Sequence, residues 1–171
     1  DEDGTNWFTN SINATKAAIY YAEEQKDKYK TYSTLSWGFT ACDGPNGYTG
    51  SYGIRPCSGG NLIDGTVPPC GAIGSLVFAP NEVIATMKNY KSNENLWSKY
   101  GFIDAYNLGT TDNYTDTTIN IPASGWYDSD VIGIDKGIGA LMIENYISGM
   151  IWDLTNMVPY YQDGLNALGI K

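Results

Sequence analysis

The chain has 171 residues, roughly the length of one domain, and its 10 Lys and Arg against 19 Asp and Glu leave a formal charge of −9. That acidity argues against a nucleic-acid partner. The absence of histidine excludes Ser-His-Asp and Cys-His nucleophile systems, and His-ligated zinc, within this chain. Acid and base chemistry is left mainly to carboxylates.

Charged residues make up 17% of the chain, below the about 25% of an ordinary domain. Its 14 Tyr, 5 Trp and 20 Gly argue against disorder. Aromatic rings with polar tips, interleaved with Asn and Asp, suit polyhydroxylated ligands, because a ring stacks on the apolar face of a sugar while amides bond its hydroxyls. Core packing explains the same rings more plainly. The sequence starts at Asp1 and holds neither a run of 18 apolar residues nor a signal-peptide h-region, so mature or cut material is expected, with no membrane span.

In chain order, residues 10–30 show helical periodicity through Ile12, Ala17, Ile19 and Tyr20. An outer amphipathic helix is predicted there, with a Lys-rich end that suits the helix dipole. Residues 33–67 are dense in Gly, Pro, Asn, Asp and Ser, with turn signals at residues 43–47 and at Asp64-Gly65. A loop of this length inside a compact domain is usually functional. Residues 70–79 read as a short buried helix, and Glu82 to Tyr90 as an amphipathic one, with Val83, Ile84 and Met87 on one face.

A second aromatic loop spans residues 101–130, and residues 131–152 follow as a buried helix, apolar almost all round from 138 to 151. Residues 157–168 form a last amphipathic segment, stopped by Gly169. About five helices are predicted, two of them buried and entered from long loops. Such alternation suggests concentric helical layers, as in an α/α toroid, or a small irregular helical domain.

Cys42, Cys57 and Cys70 contain no C-x-x-C spacing, so no metal site is expected; one disulfide with a spare thiol, or three free thiols, both fit. A D-x-[DN]-x-[DN]-G calcium loop is also lacking, and no cofactor is expected.

Glycosidic cleavage usually needs two carboxyl groups, one as acid and one as base or nucleophile. Asp135 is the best single candidate, because the Gly-rich stretch 133–137 runs into an apolar helix, putting its carboxylate at a cavity mouth near helix N-terminal dipoles. The lesser alternative is that it merely caps that helix. Glu144 lies inside the apolar helix, where a buried carboxylate needs a partner. It reads as a sugar ligand, as an acid with a raised pKa, or as half of a structural pair with Arg55 or Lys136, the structural or binding role being favoured. Arg55, the only arginine, is a candidate hydrogen-bonding fork or a loop-anchoring ion pair. Asp43, Asp64 and Asp104 sit in loops beside Gly or aromatic residues, as do Asp128 and Asp130, with Trp37, Tyr48, Trp126 and Tyr127 close by in sequence. Turn formation explains most of these acids, and some are expected to line a sugar groove.

Several blocks then carry a family likeness. They are Ser36-Trp37-Gly38-Phe39-Thr40-Ala41-Cys42-Asp43-Gly44-Pro45-Asn46-Gly47-Tyr48, Asp64-Gly65-Thr66-Val67-Pro68-Pro69, Phe78-Ala79-Pro80, Leu96-Trp97-Ser98-Lys99-Tyr100-Gly101-Phe102-Ile103-Asp104-Ala105-Tyr106-Asn107, Gly133-Ile134-Asp135-Lys136-Gly137 and Met142-Ile143-Glu144-Asn145-Tyr146. In this order they resemble the glucoamylase-like (glycoamylase) family, which includes bacterial endo-β-1,2-glucanases and a domain of cyclic β-1,2-glucan synthases. Lys136, where relatives commonly carry Gln, and Cys70 depart from the pattern.

The resemblance implies an all-α chain that is the C-terminal portion of an (α/α)6 barrel with long aromatic-rich loops, the N-terminal part of the barrel lying outside these residues. It implies an inverting hydrolase of a β-glucan, with β-1,2-glucan the expected polysaccharide, secreted or periplasmic in a bacterium. Asp135 matches the family's base, and Trp37, Asp43, Tyr48, Arg55, Asp64, Asp104, Trp126, Tyr127 and Glu144 are the candidate sugar contacts. The general acid, a glutamate, would lie upstream, so the chain alone is expected to be inactive. A non-catalytic carbohydrate-binding or structural module is the alternative.

Overall fold

The computed structural model describes residues 4–53 and 62–170. The predicted Arg55 fork and Cys57 lie outside the described residues. Among the described residues the regular structure is six α-helices, a 3-10 turn at Glu94–Leu96 and two small two-stranded antiparallel sheets.

Helix α1, Trp7–Gln25, begins three residues before its apolar pattern because the Asn6 side chain caps it, accepting from Thr9 N–H at 2.9 Å. It ends before the Lys-rich run, so Lys28 and Lys30 sit in the turns that follow and do not complement the helix dipole as expected. Its buried positions include Thr15 and Ala22.

The long loop that follows is held by tertiary bonds. Trp37 is 1% exposed, its indole N–H donating to Thr86 Oγ1 at 3.0 Å and its backbone N–H to Tyr90 Oη at 3.1 Å. The loop then presses backbone to backbone on α2, Pro69–Ile73, which Pro69 starts at the position where a missing N–H costs nothing. Close approach explains the glycines here: a Cβ on Gly38 would fall 2.4 Å from the Pro68 carbonyl oxygen, and one on Gly71 3.0 Å from Phe39 N.

Helix α3, Pro80–Ser92, buries Val83, Thr86 and Tyr90, with Ile84 and Met87 packed against the same core, as the periodicity predicts. Short strands β1 (Trp97–Ser98) and β2 (Gly101–Phe102) pair with each other, as do β3 (Tyr106–Asn107) and β4 (Trp126–Tyr127). These two small sheets are the departure from an all-α reading. They sit within or beside the second predicted loop, and the left-handed backbone at Gly101 (φ +98°) opens β2.

The predicted single helix over 131–152 is two helices, α4 (Gly133–Ile147) and α5 (Met150–Asn156). Gly149 separates them with φ of +75°, and the Asn145 side chain accepts the Trp152 N–H at 3.0 Å, so the break supplies its own cap. Helix α6, Pro159–Ala167, is followed by Gly169 with φ of +67°. The 70–79 segment is likewise shorter as helix than expected, because α2 unwinds into turns after Ile73.

The core gathers Trp37, Val67, Val83, Tyr90, Leu96, Phe102 and Tyr106, and α2 packs against both α3 and α4. Burial falls away beyond α4. Ile134 and Ile147 are 79% and 70% exposed, and α5 and α6 contain no buried residue. The expected burial of the apolar helix around 138–151 is therefore not met within this chain.

Candidate active site

A cavity of about 580 Å³ opens between the first loop, α2 and the start of α4. Phe39 to Asp43 and Tyr48 form one wall, Cys70 and Gly74 line it from α2 and the turn after it, and Ile134, Asp135 and Ile138 close it from α4. The Gly38 and Gly71 contact seats the loop on α2, and α4 enters beside it.

Asp135 stands in the first turn of α4, where helix dipoles favour negative charge. It is not the cap, because Ile132 holds that position. Its side chain is 9% exposed, and its Oδ2 is sealed from solvent without a hydrogen-bond partner. A buried carboxylate oxygen of this kind has an acceptor position open.

Asp104 joins it from the turn between β2 and β3. It is 3% exposed, and its Oδ2 accepts the Asp43 backbone N–H at 2.6 Å. Backbone bonds from Asp104 N–H to the Asp130 carbonyl (2.9 Å) and from Asp128 N–H to the Ala105 carbonyl (3.0 Å) tie this turn to the segment after β4. Burial pushes the Asp104 carboxyl up to about 7; the Asp43 N–H opposes the rise, and the neighbouring Asp135 and Asp128 add to it. Burial likewise raises Asp128. The Cys70 thiol is pushed up to about 12, first by burial and then by Asp135, and Cys42 is raised by burial and Asp104. Both thiols are neutral and unreactive at ordinary pH.

The raised Asp104 has a consequence for stability. Between its unperturbed value of 3.8 and its native value of about 7 the folded state holds a proton that the unfolded chain has released. Its contribution to stability therefore falls as pH rises through that window and levels off above it. Urea midpoints measured across the window are expected to show this decline in the wild type and to lose it in Asp104→Asn, which carries no proton to release.

The remaining sequence candidates separate cleanly. Asp43, Tyr48 and Asp104 line the cavity with Asp135, and Tyr48 leaves its ring 72% exposed at the rim. Trp37 is core, one layer below the wall. Asp64 is buried away from the cavity, accepting from Tyr52 Oη and Thr66 N–H, both at 2.9 Å. Trp126 packs against Cys42, Tyr52 and Ala105, and Tyr127 stacks on Tyr106 with ring planes 9° apart. Glu144 is half-buried and pairs with the Ser148 hydroxyl at 2.6 Å, and Lys136 donates to the Phe102 carbonyl, so these two do not form the expected ion pair.

Cys70 is a cavity-lining residue that was not among the sequence candidates, although its place in a Gly-rich apolar segment signalled close packing. Asp43, Asp128 and Asp130 bring carboxylate oxygens within 4.8 Å of one another. Acidity alone does not mark a cation site, and none is assigned there.

Fold and cavity can now be compared with known proteins. The Glycoamylase family profile, described as "Putative glucoamylase", matches residues 1–159. The chain belongs to the glycoamylase family. This glycoamylase chain is 30% identical over 166 residues, 96% of its length, to an exo β-1,2-glucooligosaccharide sophorohydrolase (non-reducing end) of Parabacteroides distasonis, of which it covers 20%. Among solved structures, an endo-β-1,2-glucanase from Chitinophaga pinensis, in complex with sophorotriose and glucose, superposes with a TM-score of 0.76 at 26% identity. That match covers 95% of this chain and 35% of the other. A β-1,2-glucanase from Parabacteroides distasonis gives 0.75 at 28% identity, covering 94% of this chain and 21% of that one. The chain thus spans about a fifth of the curated relative and about a third of the Chitinophaga enzyme.

Proposed function

We propose that this glycoamylase chain supplies the base side of the active site of a glycoside hydrolase that cleaves β-1,2-linked glucan with inversion. The observation that carries the reading is the Asp135 carboxylate, buried at the cavity wall with one oxygen unpartnered, in a chain whose relatives are named for β-1,2-glucan hydrolysis. In an inverting reaction one carboxylate takes a proton from the attacking water while a carboxylic acid protonates the leaving oxygen. Asp135 takes the first role. Tyr48 and Asp43 on the opposite wall hold the sugar, the ring by stacking and the carboxylate by accepting hydroxyls.

The acid comes from outside this chain. Asp104, which lines the cavity with Asp135, has one oxygen committed to the Asp43 N–H. We read the chain as the C-terminal portion of an (α/α)6 barrel. The exposed apolar residues from α4 to α6, among them Ile147, Leu154 and Met157, support this, since many large apolar side chains left exposed on one part of a chain normally have a covering partner. The N-terminal part of the barrel is that cover and brings the acid with it. A secreted or periplasmic place of action accords with a polysaccharide substrate.

The test is a substrate panel. The complete protein, incubated with β-1,2-, β-1,3-, β-1,4- and β-1,6-glucans, is expected to release sophoro-oligosaccharides or sophorose from the first alone, with α-anomeric product by NMR. These 171 residues alone are expected to release nothing. Release from a different linkage, a β-anomeric product, or turnover by the isolated chain would each overturn the corresponding part of the proposal.

A further inference from the structure

We propose that Asp104 and Asp135 form a carboxyl pair that shares one proton, with Asp104 the positioning residue that carries the proton and Asp135 the ionised partner offered to the cavity. The catalytic meaning of the pair rests on the hydrolase reading above; its existence does not.

Geometry carries the inference. Two carboxyl groups, 3% and 9% exposed, line the same cavity, and Asp135 is close enough to push the Asp104 carboxyl up. Among the described residues neither has a cation. Lys136, the neighbour of Asp135, spends its ammonium on the Phe102 carbonyl. The Asp43 N–H is a single neutral donor, given to Asp104 Oδ2, and Asp135 Oδ2 has no donor.

Of the other groups that bear on the pair, Asp128 and Asp43 are acidic, while the Cys70 thiol and the first turn of α4 favour the charge on Asp135 and not on Asp104. Asp128, from the segment after β4, adds negative charge beside Asp104, and Asp43 itself lines the cavity. Cys42 from the loop and Cys70 from α2 are protonated thiols, without charge to offer. Two full negative charges side by side in a desolvated site are costly, and one proton held between them removes a charge and creates a donor. Asp104 is the holder because it is the more deeply buried, and its carboxyl is displaced towards neutrality. Its remaining oxygen donates to Asp135, which stays ionised in one orientation. In the hydrolytic step Asp135 accepts the water proton, and Asp104 keeps its own throughout.

Carboxyl carbon NMR of the intact protein, labelled with ¹³C at the aspartate side chain and followed from about pH 3 to about pH 9, reads the pair without substrate. The wild type is expected to show two carboxyls titrating in coupled steps, the upper one near neutrality. Asp135→Asn should bring the Asp104 step down, and Asp104→Asn should abolish the upper step and leave Asp135 a single lower one. Independent single steps near the ordinary aspartate range for both residues would overturn the proposal, as would an upper step that survives Asp104→Asn. Should either variant fail to fold, the wild-type titration decides alone, coupled steps supporting the pair and independent ones rejecting it.

A kinetic readout separates positioning from mere support. In the active complete protein Asp104→Asn, which keeps a donor towards Asp135, should retain at least tenfold more kcat than Asp104→Ala, with KM little changed; equal losses count against the pair. Coupled titration in a protein that splits no glucan removes the hydrolase reading and keeps the pair. Glucan hydrolysis with independent titrations does the reverse.

Discussion

Asp135→Asn in the complete protein is expected to lower hydrolysis of β-1,2-glucan by about 10²–10⁴-fold, the range that a positioned general base contributes, while glycan binding persists. The reason lies in what the substitution preserves. Asn has the shape of Asp and fits the same first turn of α4, so the wall formed by Ile134 and Ile138 stays in place. What it loses is the ability to take a proton. Initial rates and calorimetric titration with an oligosaccharide, on the same preparation, separate the two effects. Retained turnover would move Asp135 to a binding role and revive the carbohydrate-binding module weighed from the sequence. Loss of both binding and turnover would instead point to collapse of the wall.

Trp37→Ala is expected to destabilise the protein by about 3–5 kcal/mol, the cost of removing a large aromatic side chain from a packed core. From sequence this tryptophan is a candidate sugar platform, flanked by Gly38 and close to Asp43. In the fold it is fully buried, bonded through its indole N–H to Thr86 and through its backbone to Tyr90. The two roles predict different data. A core residue shifts the urea midpoint of the apo protein strongly; a sugar platform leaves that midpoint nearly unchanged and weakens glycan affinity. Trp37→Phe, which fills most of the space but leaves the Thr86 hydroxyl without its donor, should cost less than the alanine variant.

These two residues show what could be read in the chain and why. The place of Asp135 in the first turn of α4 was legible because its signal is local: a Gly-rich entry into an apolar helix fixes where a carboxylate stands relative to the helix start. The amphipathic face of α3 was legible for the same reason, since Val83, Ile84 and Met87 fall on one side by helical periodicity alone. The break at Gly149 was not, although a glycine marks it. Its left-handed backbone becomes favourable once Asn145 turns to cap the next helix, and nothing in an apolar run announces that bond.

The aromatic loops divided for a similar reason. Tyr48 and Trp37 share the same composition and neighbourhood, yet one ring is 72% exposed at the cavity rim and the other is sealed beneath it. Which way a loop residue points depends on where the loop is pinned. Here the pin is the close contact of Gly38 and Gly71, more than thirty residues apart in sequence.

The missing histidine, taken by itself, already left the acid and base chemistry of this chain mainly to carboxylates, and the ordered sequence blocks pointed to the glycoamylase family. Composition and local pattern carry that much because they depend on residues near one another or on none in particular. The tertiary structure decided which carboxylates meet. Asp43, Asp104 and Asp135 come from three separate segments, and the burial of Asp104 and Asp135, the Asp43 N–H given to Asp104 and the repulsion that Asp135 adds to Asp104 exist only after α2 and α4 have packed and the turn after β2 has closed over them. Protonation in such a cluster is a property of distance and desolvation, and both are set by packing.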